Sequence, residues 1–137
     1  MLDQIDLSIL ALLRKNSRLQ WKDIGEQVHL SGQAVGNRIR RMEEQGIIQG
    51  YTTLIDEAKI APFLTALVTM FMTTTDHSLF TRFIKSRSEI VEAHRISGEG
   101  CYSMVVHVPD QEALNHFLDA LLPFGNYRFN LSINKLK

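Results

Sequence analysis

The chain has one cysteine, Cys101, so no disulfide can close within it and no thiolate metal cluster can be built from a single copy. It lacks an excess of either charge. Fifteen Lys and Arg balance fifteen Asp and Glu, which excludes a polyanion binder working through a global basic field; any affinity for nucleic acid must come from local arrangement. It also lacks a long hydrophobic run. The longest, from Ala58 to Met72, is interrupted by Lys59, Pro62 and threonines, too polar for a membrane span. The first residues, Met1 to Asp6, carry acidic rather than basic charge and no apolar leader, so a cytoplasmic location is expected. No phosphate loop, paired-carboxylate motif or metal-ligand spacing is present, which speaks against an enzyme, a cofactor or a metal. What is abundant is apolar surface. At 137 residues and 45% hydrophobic, the chain can bury the core of one domain or two small ones.

The most informative stretch runs from Ser31 to Gly46 and reads as a helix with both ends marked. Ser31 can cap the free amides of the first turn, and Gly46 suits the left-handed position that ends a helix. Val35, Ile39 and Met42 fall at i, i+4 and i+7 and form one apolar stripe. Turning by about 100° per residue places Gln33, Asn37, Arg40 and Arg41 on the solvent side, with Ala34 and Gly36 leaving low ground between them. Amide and guanidinium groups that bond in pairs to base edges, beside small residues that allow close approach, fit a helix lying in a DNA major groove. Gln33, Asn37 and Arg40 are the base-reading candidates. Arg38 and Arg41 are candidates for phosphate contact or for positioning the helix, and Arg38, nearer the apolar stripe, is also suited to an ion pair with Glu43 or with an acidic residue of the first helix.

Two shorter helices precede this one. Asp3 to Lys15 carries Ile5, Ile9, Leu12 and Leu13 on one stripe, and Trp21 to Val28 presents Trp21, Ile24 and Val28, with Gly25 suggesting a close helix crossing. Only His29 and Leu30 separate the second helix from Ser31, a joint short enough for a helix-turn-helix. Ile47 to Ile55, rich in β-branched and aromatic residues around Gly50, predicts a small hairpin, a wing.

Residues 56–63, with Pro62, read as a linker between a first domain over 1–55 and a second over 64–137. The second domain reads as strand, helix, strand, strand, helix, strand: Leu64–Thr74, a helix capped by Asp76 through Arg87, Ile90–Ser97, Cys101–Val108, a helix capped by Asp110 to Leu122, and a strand carrying Tyr127, Phe129, Leu131 and Ile133. That order is the ferredoxin-like βαββαβ motif, so the fold class is α+β. Two helices cover only one sheet face. Ala66, Val68, Met70 and Met72 point one way and Leu67 and Phe71 the other, so a partly apolar open face predicts a second copy packed sheet to sheet.

The run Arg38-Ile-Arg-Arg-Met-Glu-Glu-Gln-Gly-Ile-Ile-Gln-Gly-Tyr51, with Leu2-Asp-Gln-Ile-Asp-Leu-Ser-Ile-Leu10 and Asn16-Ser-Arg18 before it, resembles the Lrp/AsnC family of transcription regulators. The family pattern is Arg-x-x-x-Leu-Glu-x-x-Gly-Ile-Ile-x-x-Tyr, with Met42 here in place of the leucine. The resemblance implies a winged helix-turn-helix that binds double-stranded DNA and a second domain of the RAM type that forms homodimers and then tetramers or octamers. It also implies an amino-acid effector held near the turn between the second and third strands. In this chain that turn is Ser97, Gly98, Glu99, Gly100, Cys101 and Tyr102; the family usually has an aspartate where Cys101 stands. The alternatives are an architectural protein that bends or wraps DNA without an effector, and a small-molecule-binding module. His94, Cys101 and His107 offer no metal or nucleophile reading, because strand alternation gives them no reason to converge.

Overall fold

The structure, a computed structural model, describes residues 1–137, which form two compact units, Met1–Leu54 and Ile55–Lys137. In the first, α1 (Gln4–Lys15), α2 (Trp21–Val28) and α3 (Gly32–Glu44) enclose Ile9, Ile24, Val35, Ile39 and Met42, all buried. A reciprocal capping box starts α1: the Asp6 amide donates to Asp3 Oδ1 (2.8 Å) and the Asp3 amide to Asp6 Oδ2 (3.1 Å). The α2–α3 joint is made by His29, left-handed at φ 58°, after which the Leu30 amide donates to the Gly25 carbonyl at 2.9 Å. Gly25 therefore serves the turn and not a helix crossing: a Cβ there would run into the Leu30 carbonyl oxygen. Ser31 Oγ accepts from the Ala34 amide (3.1 Å), and Gly46 closes the far end at φ 69°.

The hairpin expected over Ile47–Ile55 does not form. The Ile47 and Ile48 amides donate to the Met42 carbonyl (2.9 and 3.1 Å), finishing α3, and the chain beyond runs without ladder bonds to Asp56. β-branched content alone does not sustain a lone hairpin in water, and Tyr51 folds back to donate its hydroxyl to Glu43 at 2.8 Å. A single 3-10 turn, Glu57–Lys59, occupies the expected linker.

The second unit contains β1 (Leu64–Met72), α4 (Ser78–Ser86), β2 (Ile90–Arg95), β3 (Tyr102–Val108), α5 (Gln111–Leu121) and β4 (Gly125–Leu131). The strands lie in the order β2-β3-β1-β4, every neighbour antiparallel, with Val68 opposite Met104 and Phe129. Ala66, Val68 and Met70 face the helices and share a core with Phe80, Val106, Leu114, Phe117 and Leu121. Leu67, 47% exposed, lies on the open face beside Val105. Asp110 caps α5 as expected, accepting from the Ala113 amide at 2.8 Å. Asp76 does not cap α4: His77 takes that position and Asp76 accepts from the Ser78 amide one residue early. The first two strands each stop two residues short of their expected ends, β3 begins one residue late, and Ile133 lies beyond β4, fully exposed.

Candidate nucleic-acid interface

The capped, core-anchored α3 turns Gln33, Asn37 and Arg40 outward, with Ala34 half-buried beside them. Gly36 lies elsewhere than the rotation predicts. It is buried beneath the Trp21 indole, and a Cβ there would overlap the ring carbons Cε3 and Cζ3. The close helix crossing is therefore α2 over α3 at this glycine. Above the same ring sits Arg40, its guanidinium carbon 5.4 Å from the centroid and its Nη1 donating to Asn37 Oδ1 at 3.2 Å. An arginine stacked on an aromatic face and braced by a neighbouring amide is held in one orientation before any ligand arrives.

Arg38 and Arg41 turn the other way. Arg38 Nη1 lies 2.6 Å from Asp3 Oδ2 and 2.8 Å from Asp6 Oδ1, and Arg41 Nη2 lies 2.6 Å from Asp6 Oδ2. Arg38 is 24% exposed and Arg41 47%, while the Asp6 side chain has no accessible surface. Burial pushes the Asp6 carboxyl up, but the hydrogen bonds from Arg38 and the Asp3 backbone, with the charge of Arg41, outweigh it and hold the group below its ordinary value. Asp3 is lowered too, by the Asp6 amide first and then by Arg38. Burial and the nearby Glu43 push the Tyr51 phenol up to about 12.

The depressed carboxyls give a signed pH dependence. Their contribution to stability is fully present above the unfolded aspartate value of ~3.9 and is lost as pH falls through the lower folded values. Trp21, the single tryptophan, reports on the first unit alone. Its melting temperature, followed by fluorescence, is expected to be level from neutral pH to about pH 5 and to fall below pH 4. The fall should be blunted in Asp6→Asn, and an equal fall in that variant would discard the assignment.

Arg38 takes the expected ion pair with an acidic residue of the first helix and not with Glu43, whereas the shared grip of Asp6 on Arg41 and the Trp21 platform are not visible in the sequence. The capping-box spacing of Asp3 and Asp6 is a local signal, whereas their arginine partners lie 32 to 35 residues away.

In the second unit, the turn from Ser97 to Tyr102 has Gly98 and Gly100 in the left-handed region at φ 84° and 88°. The Cys101 amide donates to the Met70 carbonyl (2.7 Å), and Gly100 rests so close to Thr69 that a Cβ would meet its methyl. Ser97, Gly98 and Glu99 are exposed, Gly100 and Cys101 half-buried, and Glu99 lies 3.8 Å from Arg128. Tyr102 is separated from them: its ring faces the helices, with its hydroxyl 3.0 Å from His77 Nδ1. His94 pairs with Glu92 at 2.6 Å, and His107 packs on Phe63 at 4.5 Å. No helix is long and apolar enough to cross a membrane.

Comparison with known proteins agrees with this architecture. Residues 2–43 match the AsnC-type helix-turn-helix domain and residues 65–137 the Lrp/AsnC ligand binding domain. The chain is 52% identical over 136 residues to the HTH-type transcriptional regulator LrpB of Bacillus subtilis, covering 99% of this chain and 91% of that one. The structure of B. subtilis LrpC superposes with a TM-score of 0.91 at 29% identity, covering 100% of this chain and 98% of that one. The feast or famine regulatory protein from M. tuberculosis, complexed with L-methionine, superposes with a TM-score of 0.90 at 25% identity, covering 100% and 95%. The chain belongs to the Lrp/AsnC family and is a DNA-binding transcription regulator, an AsnC-type helix-turn-helix followed by the family's ligand-binding domain.

Proposed function

We propose that the regulator reads operator DNA with Gln33, Asn37 and Arg40 of α3, laid in the major groove with Ser31 and Ala34 at its leading end. One observation carries the reading: these three side chains share the exposed face of a helix whose opposite face is anchored in a buried core. Arginine bonds in pairs to guanine and the amides to adenine, so Arg40 is the dominant reader. Arg38 and Arg41, tied to α1 through Asp3 and Asp6, set the angle of the helix. Two copies joined through the open faces of their sheets present two such helices, suited to half-sites about one helical turn (~34 Å) or a multiple of it apart. Tetramers or octamers built from these dimers bring the Ser97–Cys101 turns together as the seat of an amino-acid effector. The methionine complex of the M. tuberculosis relative supports an L-amino acid as the ligand class.

The test is titration onto labelled DNA from upstream of the protein's own gene, beside a scrambled duplex, at low and moderate salt, with and without L-methionine. Preference for the upstream duplex that survives added salt supports sequence reading, and a shift with L-methionine supports the effector seat. Equal binding to both duplexes in every condition overturns sequence reading in favour of an architectural role. Arg40→Ala is expected to remove about 1 to 3 kcal/mol of binding to the preferred duplex and to relax its specificity. Unchanged affinity there retires Arg40 as a reader.

A further inference from the structure

We propose that Asp6 is a positioning residue for DNA reading: one buried carboxylate of α1 fixes the register of α3 and withdraws two of its three arginines from the phosphate field. The inference rests on α3 being the helix that meets DNA. Apolar contacts between α1 and α3, through Ile9, Val35, Ile39 and Met42, favour burial without specifying how far one helix slides or rolls on the other. Asp6 supplies the missing direction. Oδ1 accepts from Arg38, and Oδ2 accepts from Arg41 and from the Asp3 amide, so both oxygens are occupied from fixed directions. Arg38 and Arg41 stand at i and i+3, one turn apart on the same side of α3. A single carboxylate gripping both therefore sets rotation and axial position together.

The charge consequence follows from the same contacts. Asp3, Asp6, Arg38 and Arg41 form a neutral set of two carboxylates and two guanidiniums. Arg40 pairs with no carboxylate and stacks on Trp21 instead, so α3 presents one uncompensated cation beside the amides of Gln33 and Asn37. A face built this way gains little from phosphates of any sequence and depends on base contacts, which favours discrimination over bulk affinity. It also suits a chain with no net charge.

Asp6→Asn keeps the shape of the side chain and removes its charge, leaving Arg38 with Asp3 and releasing Arg41. At a temperature where circular dichroism shows the variant folded, binding to the scrambled duplex is expected to tighten several-fold. The slope of log affinity against log salt is expected to steepen by about one per bound head, and preference for the upstream duplex to fall roughly tenfold. A residue acting only on stability gives none of these, because loss of folded protein weakens both duplexes together and leaves the slope unchanged. Wild-type slope and wild-type preference in folded Asp6→Asn overturn the proposal. If that variant does not fold, Arg41→Gln decides: an unchanged salt slope with reduced preference supports the proposal, and a slope shallower by about one per head overturns it by placing Arg41 on a phosphate. Arg40→Ala, measured alongside, separates the two levels of inference. If it too binds as wild type, the assignment of α3 fails; if it weakens binding while Asp6→Asn and Arg41→Gln behave as wild type, only the role of Asp6 fails.

Discussion

Val68→Asp is expected to leave the second unit unfolded, whereas Phe71→Asp leaves it folded and disrupts its assembly. The two positions lie three residues apart on β1 and point to opposite faces of the sheet. Val68 is 1% exposed, between Met104 and Phe129 in the strand ladder and against the helices. A carboxylate there has no cation within the core, and an unpaired buried charge costs several kcal/mol. That is comparable to the ~5–15 kcal/mol by which a whole domain is stable. Phe71 is only partly buried, on the open face, with the Arg128 guanidinium 5.2 Å from its ring. An aspartate there meets water and a neighbouring cation, so folding survives. What it loses is apolar area shared with Leu67 and Val105, the surface a second sheet would cover. Circular dichroism and light scattering check both variants. Loss of strand signal is expected for Val68→Asp, with Trp21 still reporting a folded first unit. Native ellipticity at reduced mass is expected for Phe71→Asp. Wild-type mass in Phe71→Asp would sink sheet-to-sheet assembly.

The same pair of residues shows where reading a sequence stops. Alternation along β1 sorts its side chains into two sets, but a period of two is symmetric and does not say which set meets the helices. Both sets contain large apolar residues, and the choice is made by α4 and α5, which bring Phe80 and Phe117 into one core with Val68 and Met70. Local signals served for most local features: the Ser31 and Asp110 caps, the Gly46 stop and the short His29-Leu30 joint stand where spacing puts them, while the Asp76 cap falls one residue early. The hairpin over Ile47–Ile55 failed for the complementary reason, since strand propensity without a neighbouring strand has nothing to pair with. At the candidate site, the exposure of Gln33, Asn37 and Arg40 was legible from helical rotation, and the burial of Gly36 was not. The pairing of Arg38 with an acidic residue of the first helix was legible too, but the second grip of Asp6 on Arg41 and the Trp21 platform were not, because each acts through a partner on another helix and no periodicity within one helix encodes it.

Gly25→Ala is expected to destabilise the first unit by about 1 to 3 kcal/mol, although helix propensity favours the change. Alanine in a helix interior is worth roughly 1 kcal/mol over glycine, so propensity alone predicts a gain. Against it stands the Leu30 carbonyl, which returns over Gly25 in the tight turn and leaves no room for a methyl group. The obstructing atom is backbone. It cannot rotate away without breaking the Leu30 amide to Gly25 carbonyl bond and moving Ser31, and with Ser31 the start of α3. Gly36→Ala provides the contrast within the same unit. There the obstruction is the Trp21 ring, a side chain that can swing aside, so the propensity gain offsets much of the strain and stability changes little. The cost falls on the outer face, because lifting the indole removes the surface on which Arg40 lies. Urea unfolding followed by Trp21 fluorescence, with titration onto the preferred duplex, separates the two. Gly25→Ala should lower the unfolding midpoint and leave native-state emission unchanged, while Gly36→Ala should shift the emission and weaken DNA binding at nearly unchanged midpoint. A Gly25→Ala protein as stable as wild type would mean that the turn can open without cost. The rigid placement of α3, on which the recognition geometry depends, would then have to come from the Asp6 network alone.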